Sequence, residues 1–75
     1  MAVSYNKLWK LLIDRKMKKK DLIAQSGVSK STIAKMTNDE HVSTEMLAKI
    51  CFALNVDIAD IVEVIPENKE NGETK

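Results

Sequence analysis

Seventy-five residues with a single cysteine and a single histidine make one small domain with no internal disulfide and no Cys/His zinc cluster. Its core must therefore hold itself or be helped by a second copy of the chain. An apolar fraction of 44% supplies a packed core, whereas no apolar run approaches the roughly 20 residues that span a bilayer and the N-terminus lacks the layout of a signal peptide. A cytoplasmic protein is expected. The net charge of +1 hides an asymmetry: residues 1–38 carry nine Lys/Arg against two Asp, and residues 39–75 carry three Lys against nine Asp/Glu. The halves are thus +7 and −6, and such polarisation points to a nucleic-acid surface better than the total does.

Met1–Ser4 reads as a short loose segment with Ser4 as an N-cap. Tyr5, Leu8, Trp9 and Leu12 then fall on one helical face, and Leu11 and Ile13 broaden it, predicting a first helix over about Tyr5–Lys16. The lone Trp9 belongs to the core on this reading. Arg15–Lys20 is a dense basic run leading into a second helix over Lys19–Ser26, which buries Leu22 and either Ile23 or Ala24. Lys18 stands where Ser or Thr would cap better.

Gly27-Val28-Ser29 is punctuation. Gly27 ends one helix because it enters the left-handed conformation without steric cost. Val28 fills the corner, and the Ser29 hydroxyl can cap a third helix over Lys30–Thr37. That sequence of signals is a helix-turn-helix, whose second helix commonly reads a major groove. The third helix offers Ile33 and Met36 to the core and leaves Lys30, Ser31, Thr32 and Lys35 on its other face, free to touch something. Lys18–Lys20 lie at the front of the second helix, where lysine and the helix N-terminus together suit a phosphate.

Asn38–Val42 reads as a loop, with Asn38 taking the left-handed conformation that ends the third helix and His41 a surface residue. Ser43 caps a fourth helix that places Met46, Leu47, Ile50, Cys51 and Leu54 on one stripe, so Cys51 is a small buried hydrophobe. Asp57 caps a fifth helix carrying Ile58, Ile61, Val62 and Ile65, although Val62–Ile65 also alternates like a strand until Pro66 stops it. The domain is expected over residues 1–66, with a disordered polar tail over residues 67–75.

The stretch DLIAQSGVSKSTIAKMTN (Asp21–Asn38), followed by STEMLAKICFALNVDIADIV (Ser43–Val62), resembles the Cro/repressor-type, Xre-like helix-turn-helix regulators of bacteria and phages. The match covers about Leu8–Ile65. It implies an all-α domain of five helices that binds double-stranded DNA as a small transcriptional regulator, commonly a repressor and a homodimer. Carried over residue by residue, the base contacts fall on Ser29, Lys30, Ser31 and Lys35. The phosphate contacts fall on Lys18, Lys19, Thr32, Asn38, Ser43 and Thr44. Two departures stand out: Ile23 where many members have Ala, and Asp39 where Gly is usual, with Asp39 and Glu40 placing negative charge beside a phosphate contact.

The apolar helix 5 and Val62–Ile65 are the expected dimer surface. No cofactor, metal or small-molecule ligand is implied, and no nucleophile–base pair, carboxylate pair or Gly-rich phosphate loop points to an enzyme. The alternative on the same fold is a protein-interaction module, antitoxin-like or adaptor, working through the acidic C-terminal half. A membrane binder using Leu8, Trp9 and Leu12 would have to expose residues the core needs.

Overall fold

In a computed structural model that describes residues 2–66, the order is β1 (Ala2–Ser4), α1 (Asn6–Asp14), α2 (Lys19–Ser26), α3 (Lys30–Thr37), α4 (Thr44–Leu54), a 3₁₀ turn (Ile58–Asp60) and β2 (Glu63–Ile65). β1 and β2 pair antiparallel in the register Ala2–Ile65, Val3–Val64 and Ser4–Glu63. The expected tail over residues 67–75 lies outside the described residues.

The fold is mostly helical with a two-stranded sheet, not all-α, and among the described residues it has four α-helices, not five. Helix 5 shrinks to the single turn Ile58–Asp60. Asp57 accepts a hydrogen bond from the Ile58 N–H at 2.8 Å, and Asp60 accepts one from the Asp57 N–H at 2.9 Å, so the turn closes on itself. The buried Ile61 then anchors the chain, and the β-branched Val64 and Ile65 continue as a strand. Its partner is Ala2–Ser4, the segment expected to be loose. The first helix is also shorter than expected, with Tyr5 in the N-cap position, although the Ser4 hydroxyl still accepts from the Asn6 N–H at 3.2 Å.

The core gathers Tyr5, Leu8 and Leu12 from the first helix region, Leu22 from α2, Val28 from the turn, and Ile33 and Met36 from α3. Ile50, Cys51 and Leu54 of α4 and Ile61 complete it. Leu22 is fully buried, Ile23 is half-buried and Ala24 is exposed. Burial pushes the Cys51 thiol above its ordinary range, with Asp57 and Asp60 adding to the effect, so it stays protonated and inert. Ile13, expected to broaden the buried stripe, is 72% exposed, because α1 is covered on one side only.

Every α-helix stops at a residue with left-handed backbone: Lys16 (φ 58°), Gly27 (φ 80°), Asp39 (φ 57°) and Asn55 (φ 58°). After α1, the Met17 N–H reaches the Leu12 carbonyl and the Lys16 N–H reaches that of Ile13; after α3, Glu40 and Asp39 do the same to Lys35 and Met36. Both are Schellman closures. The residue that turns after α3 is thus Asp39, not Asn38, whose φ is −94°. Arg15 reinforces the end of α4, donating to the Leu54 carbonyl at 2.6 Å, where a cation suits the helix dipole.

Gly27→Ala isolates the backbone term, because a Cβ there would meet no atom within 4 Å. The change is expected to lower stability by about 1–2 kcal/mol through left-handed strain alone. A urea midpoint equal to that of the parent chain would contradict this.

Candidate nucleic-acid interface

The three-residue corner Gly27–Ser29 sets where α3 points. The Gly27 N–H closes α2 on the Ile23 carbonyl at 3.0 Å, and the Ser26 hydroxyl donates back to the Leu22 carbonyl at 2.7 Å. Val28 is buried and pins the corner to the core. Ser29 then starts α3, its hydroxyl oxygen accepting from the Thr32 N–H at 3.2 Å.

Ile33 and Met36 hold one side of α3 in the core, while Ser29, Lys30, Ser31 and Lys35 are all exposed. The four residues expected to meet bases therefore lie on the open side of one short helix. They differ in freedom. Ser29 is engaged as the cap, and its hydroxyl lies 2.9 Å from that of Ser31 and 3.0 Å from that of the half-buried Thr32. Lys30 and Lys35 are the extended donors of this face.

The residues expected at phosphates are spread over three helices, with Thr32 in the first turn of α3 and Asn38 at its end. Lys18 and Lys19 sit at the start of α2, where the Asp21 carboxylate accepts from the Lys18 N–H at 2.9 Å, the reciprocal half of a capping box, while no side chain caps the N–H groups of the helix itself. Lys19 reaches across to the end of α3 and donates to the Thr37 hydroxyl at 2.9 Å, which brings the start of α2 beside Asn38. Ser43 caps α4 and accepts from the Met46 N–H at 3.3 Å, so its hydroxyl has a structural duty. Among the described residues, the Thr44 and Glu45 N–H groups at that helix start have no acceptor within the chain, the state in which a helix start can take an outside anion.

The acidic residues after α3 are partly accounted for. Asp39 turns toward the start of α1 and accepts a long hydrogen bond from the Tyr5 N–H at 3.4 Å. The Tyr5 hydroxyl donates to the Glu40 carbonyl at 2.8 Å, which ties the loop after α3 to α1. Burial, together with the nearby Asp39, holds that hydroxyl above its usual pKa, against a lowering contribution from the Val42 backbone. It stays protonated as a donor at neutral pH.

Sequence reasoning missed two residues here. Thr37 reads only as a helix end and Trp9 only as core, yet both meet Lys19, whose ammonium lies 4.5 Å from the Trp9 ring centroid. Nothing in the spacing of residues 9, 19 and 37 announces a tertiary contact. Among the described residues, no group of three or more His, Cys, Asp or Glu is arranged to hold a metal ion, and no helix is long and apolar enough to cross a membrane.

Residues 7–67 match the family model described as the Cro/C1-type HTH DNA-binding domain. A solved structure, the crystal structure of the transcriptional regulator VanUg in its form II, is 59% identical over 88% of each chain and superposes with a TM-score of 0.83. No curated protein matches. With the family match spanning most of the chain and the helix-turn-helix in place at α2 and α3, this protein belongs to the Cro/C1-type helix-turn-helix DNA-binding family.

Proposed function

We propose that the chain is a cytoplasmic regulator, acting as a repressor by occupying double-stranded DNA with α3 in the major groove. The observation that carries this reading is the division of α3. Ile33 and Met36 are buried while Ser29, Lys30, Ser31 and Lys35 are open, on a helix whose neighbour starts with Lys18, Lys19 and Lys20. Lysines at Lys30 and Lys35 suit guanine O6 and N7, whereas Ser29 and Ser31 discriminate little between bases. Lys18, Lys19, Thr32, Asn38, Ser43 and Thr44 take the backbone.

With so few discriminating side chains, one copy reads little sequence. A homodimer with half-sites about 34 Å apart supplies the rest. Its proposed surface is the 3₁₀ turn and β2, where Ile58, Val64 and Ile65 are exposed, Val64 to 59%. The turn-and-strand form of this segment supports an edge-to-edge pairing of strands from two copies. Light scattering without DNA is expected to give a dimer mass at high protein concentration, and a monomer there would remove this surface from the account.

A second reading keeps the fold and makes the chain a protein-interaction module. Phe52 favours it, standing 90% exposed on the outer side of α4 in the acidic half of the chain.

Binding to a random duplex, titrated against salt, separates the two. Lys18 and Lys19 alone predict a slope of log K against log salt of about −2 per chain, and the lysines of α3 steepen it. In the same assay on a cognate duplex, Lys30→Ala is expected to cost about 1–3 kcal/mol and to relax preference at one base pair. An equal loss on every sequence would move Lys30 to the phosphate set. Absence of binding at low salt would reject the DNA reading in favour of the second one.

A further inference from the structure

Lys19 is the one cation of this surface whose head group is fixed from two sides. Its Nζ donates to the Thr37 hydroxyl at 2.9 Å and rests 4.5 Å from the centroid of the Trp9 ring. The Thr37 hydroxyl proton is already committed to the Ile33 carbonyl at 3.0 Å, so its oxygen faces Lys19 with lone pairs only and can act there solely as acceptor. Polarised by that first bond, it is also a better acceptor than a free hydroxyl. Trp9 comes from α1, Lys19 opens α2 and Thr37 closes α3. Three helices thus converge on a single ammonium.

The ring is held in turn. Trp9 is half-buried against the core and shares a shallow apolar depression with Leu12, Ile13 and Met17, with Lys19 at its edge. An exposed lysine normally keeps a mobile four-carbon stem, and ordering it costs much of what a phosphate contact gains. Here the order exists before any ligand arrives. Of the three N–H bonds of the ammonium, one goes to Thr37, and the ring shields another side. Lys19 as a whole remains exposed, so the remaining hydrogen-bonding capacity is open to an outside acceptor.

We propose that Trp9 and Thr37 are positioning residues that bracket Lys19 and present its ammonium, pre-placed, to a DNA phosphate. This rests on the DNA reading above. A pinned charge at the start of α2 also fixes the register in which α3 enters the groove, because the same bracket touches the last residue of α3. A purely structural strut between helices would use the same contacts, and the two roles differ in what they do to DNA binding.

The test is a double-mutant cycle on the full chain, with anisotropy of a labelled random duplex read against salt. Lys19→Met is expected to lower the salt slope by about 0.9, the share of one phosphate. Thr37→Val is expected to weaken binding about three- to tenfold, the part of the lysine's rotamer freedom that the bracket saves. In the Lys19→Met background, Thr37→Val should then change nothing. Trp9, the only tryptophan, gives a second readout: its emission should change as duplex is added to the parent chain and stay constant in Lys19→Met. Trp9→Phe keeps a ring and retains most of the affinity, whereas Trp9→Leu matches Thr37→Val. Equal losses from Thr37→Val in both backgrounds, or tighter binding by that variant, would overturn the bracket while leaving the DNA reading intact. So would an unchanged salt slope in Lys19→Met. A parent chain that binds no duplex would remove both.

Discussion

An eight-residue helix with two large apolar side chains cannot stand by itself; nucleation alone costs more than its own hydrogen bonds return. α3 is such a helix. It exists because Ile33 and Met36 enter a core that Leu22, Ile50 and Leu54 also share. Everything on the open side of α3 inherits its position from that burial. The two apolar residues orient the helix, the Gly27–Ser29 corner sets its angle to α2, and the polar residues are left outside because there is nothing in the core for them to pair with.

Compactness comes from the helix ends. Four left-handed residues let four short helices change direction without long loops. Only one of the four is glycine, so Lys16, Asp39 and Asn55 hold a conformation that costs a side chain something. Asp39 is partly compensated, since its carboxylate faces the start of α1 and the Tyr5 N–H. The same contact draws that negative charge toward α1 and so softens the conflict foreseen between the acid and a phosphate beside Asn38.

The legible parts of the sequence were those with local causes. Gly27, Ser29, Ser43 and Asp57 act on their own neighbours, and each performs the capping or turning duty its residue type suggests, Asp57 on a 3₁₀ turn and not on the fifth helix expected there. Ile33 and Met36 were visible as a three-residue spacing. What stayed hidden depended on partners far along the chain. Val62–Ile65 could be helix or strand until Ala2–Ser4, some sixty residues earlier, offered it a ladder. Lys16 is a poor left-handed residue by type, and after α3 Asn38 and Asp39 both suit that conformation, so the residue type did not say which of the two turns. Ile13 was invisible as an exposed residue because hydrophobicity says nothing about which side of a helix is left uncovered, whereas Phe52 already lay off the stripe read for α4. Lys19 was placed at a phosphate by its position at the front of α2 and by family resemblance, whereas its contacts with Thr37 and Trp9 are tertiary.

The family match makes the chain a DNA-binding domain; its own residues describe what kind. Its candidate reading side is lysine and serine, held on a helix oriented by the core and flanked by a basic helix start, with the acidic half elsewhere in the chain. On the proposed function, this one side meets the duplex. Amide ¹H–¹⁵N shifts recorded while a duplex is added test it residue by residue. Perturbation is expected over Lys18–Lys20, Ser29–Asn38 and Ser43–Thr44, with the surface around Phe52 unmoved. Perturbation centred on Phe52 and the acidic half, with α3 silent, would contradict the account.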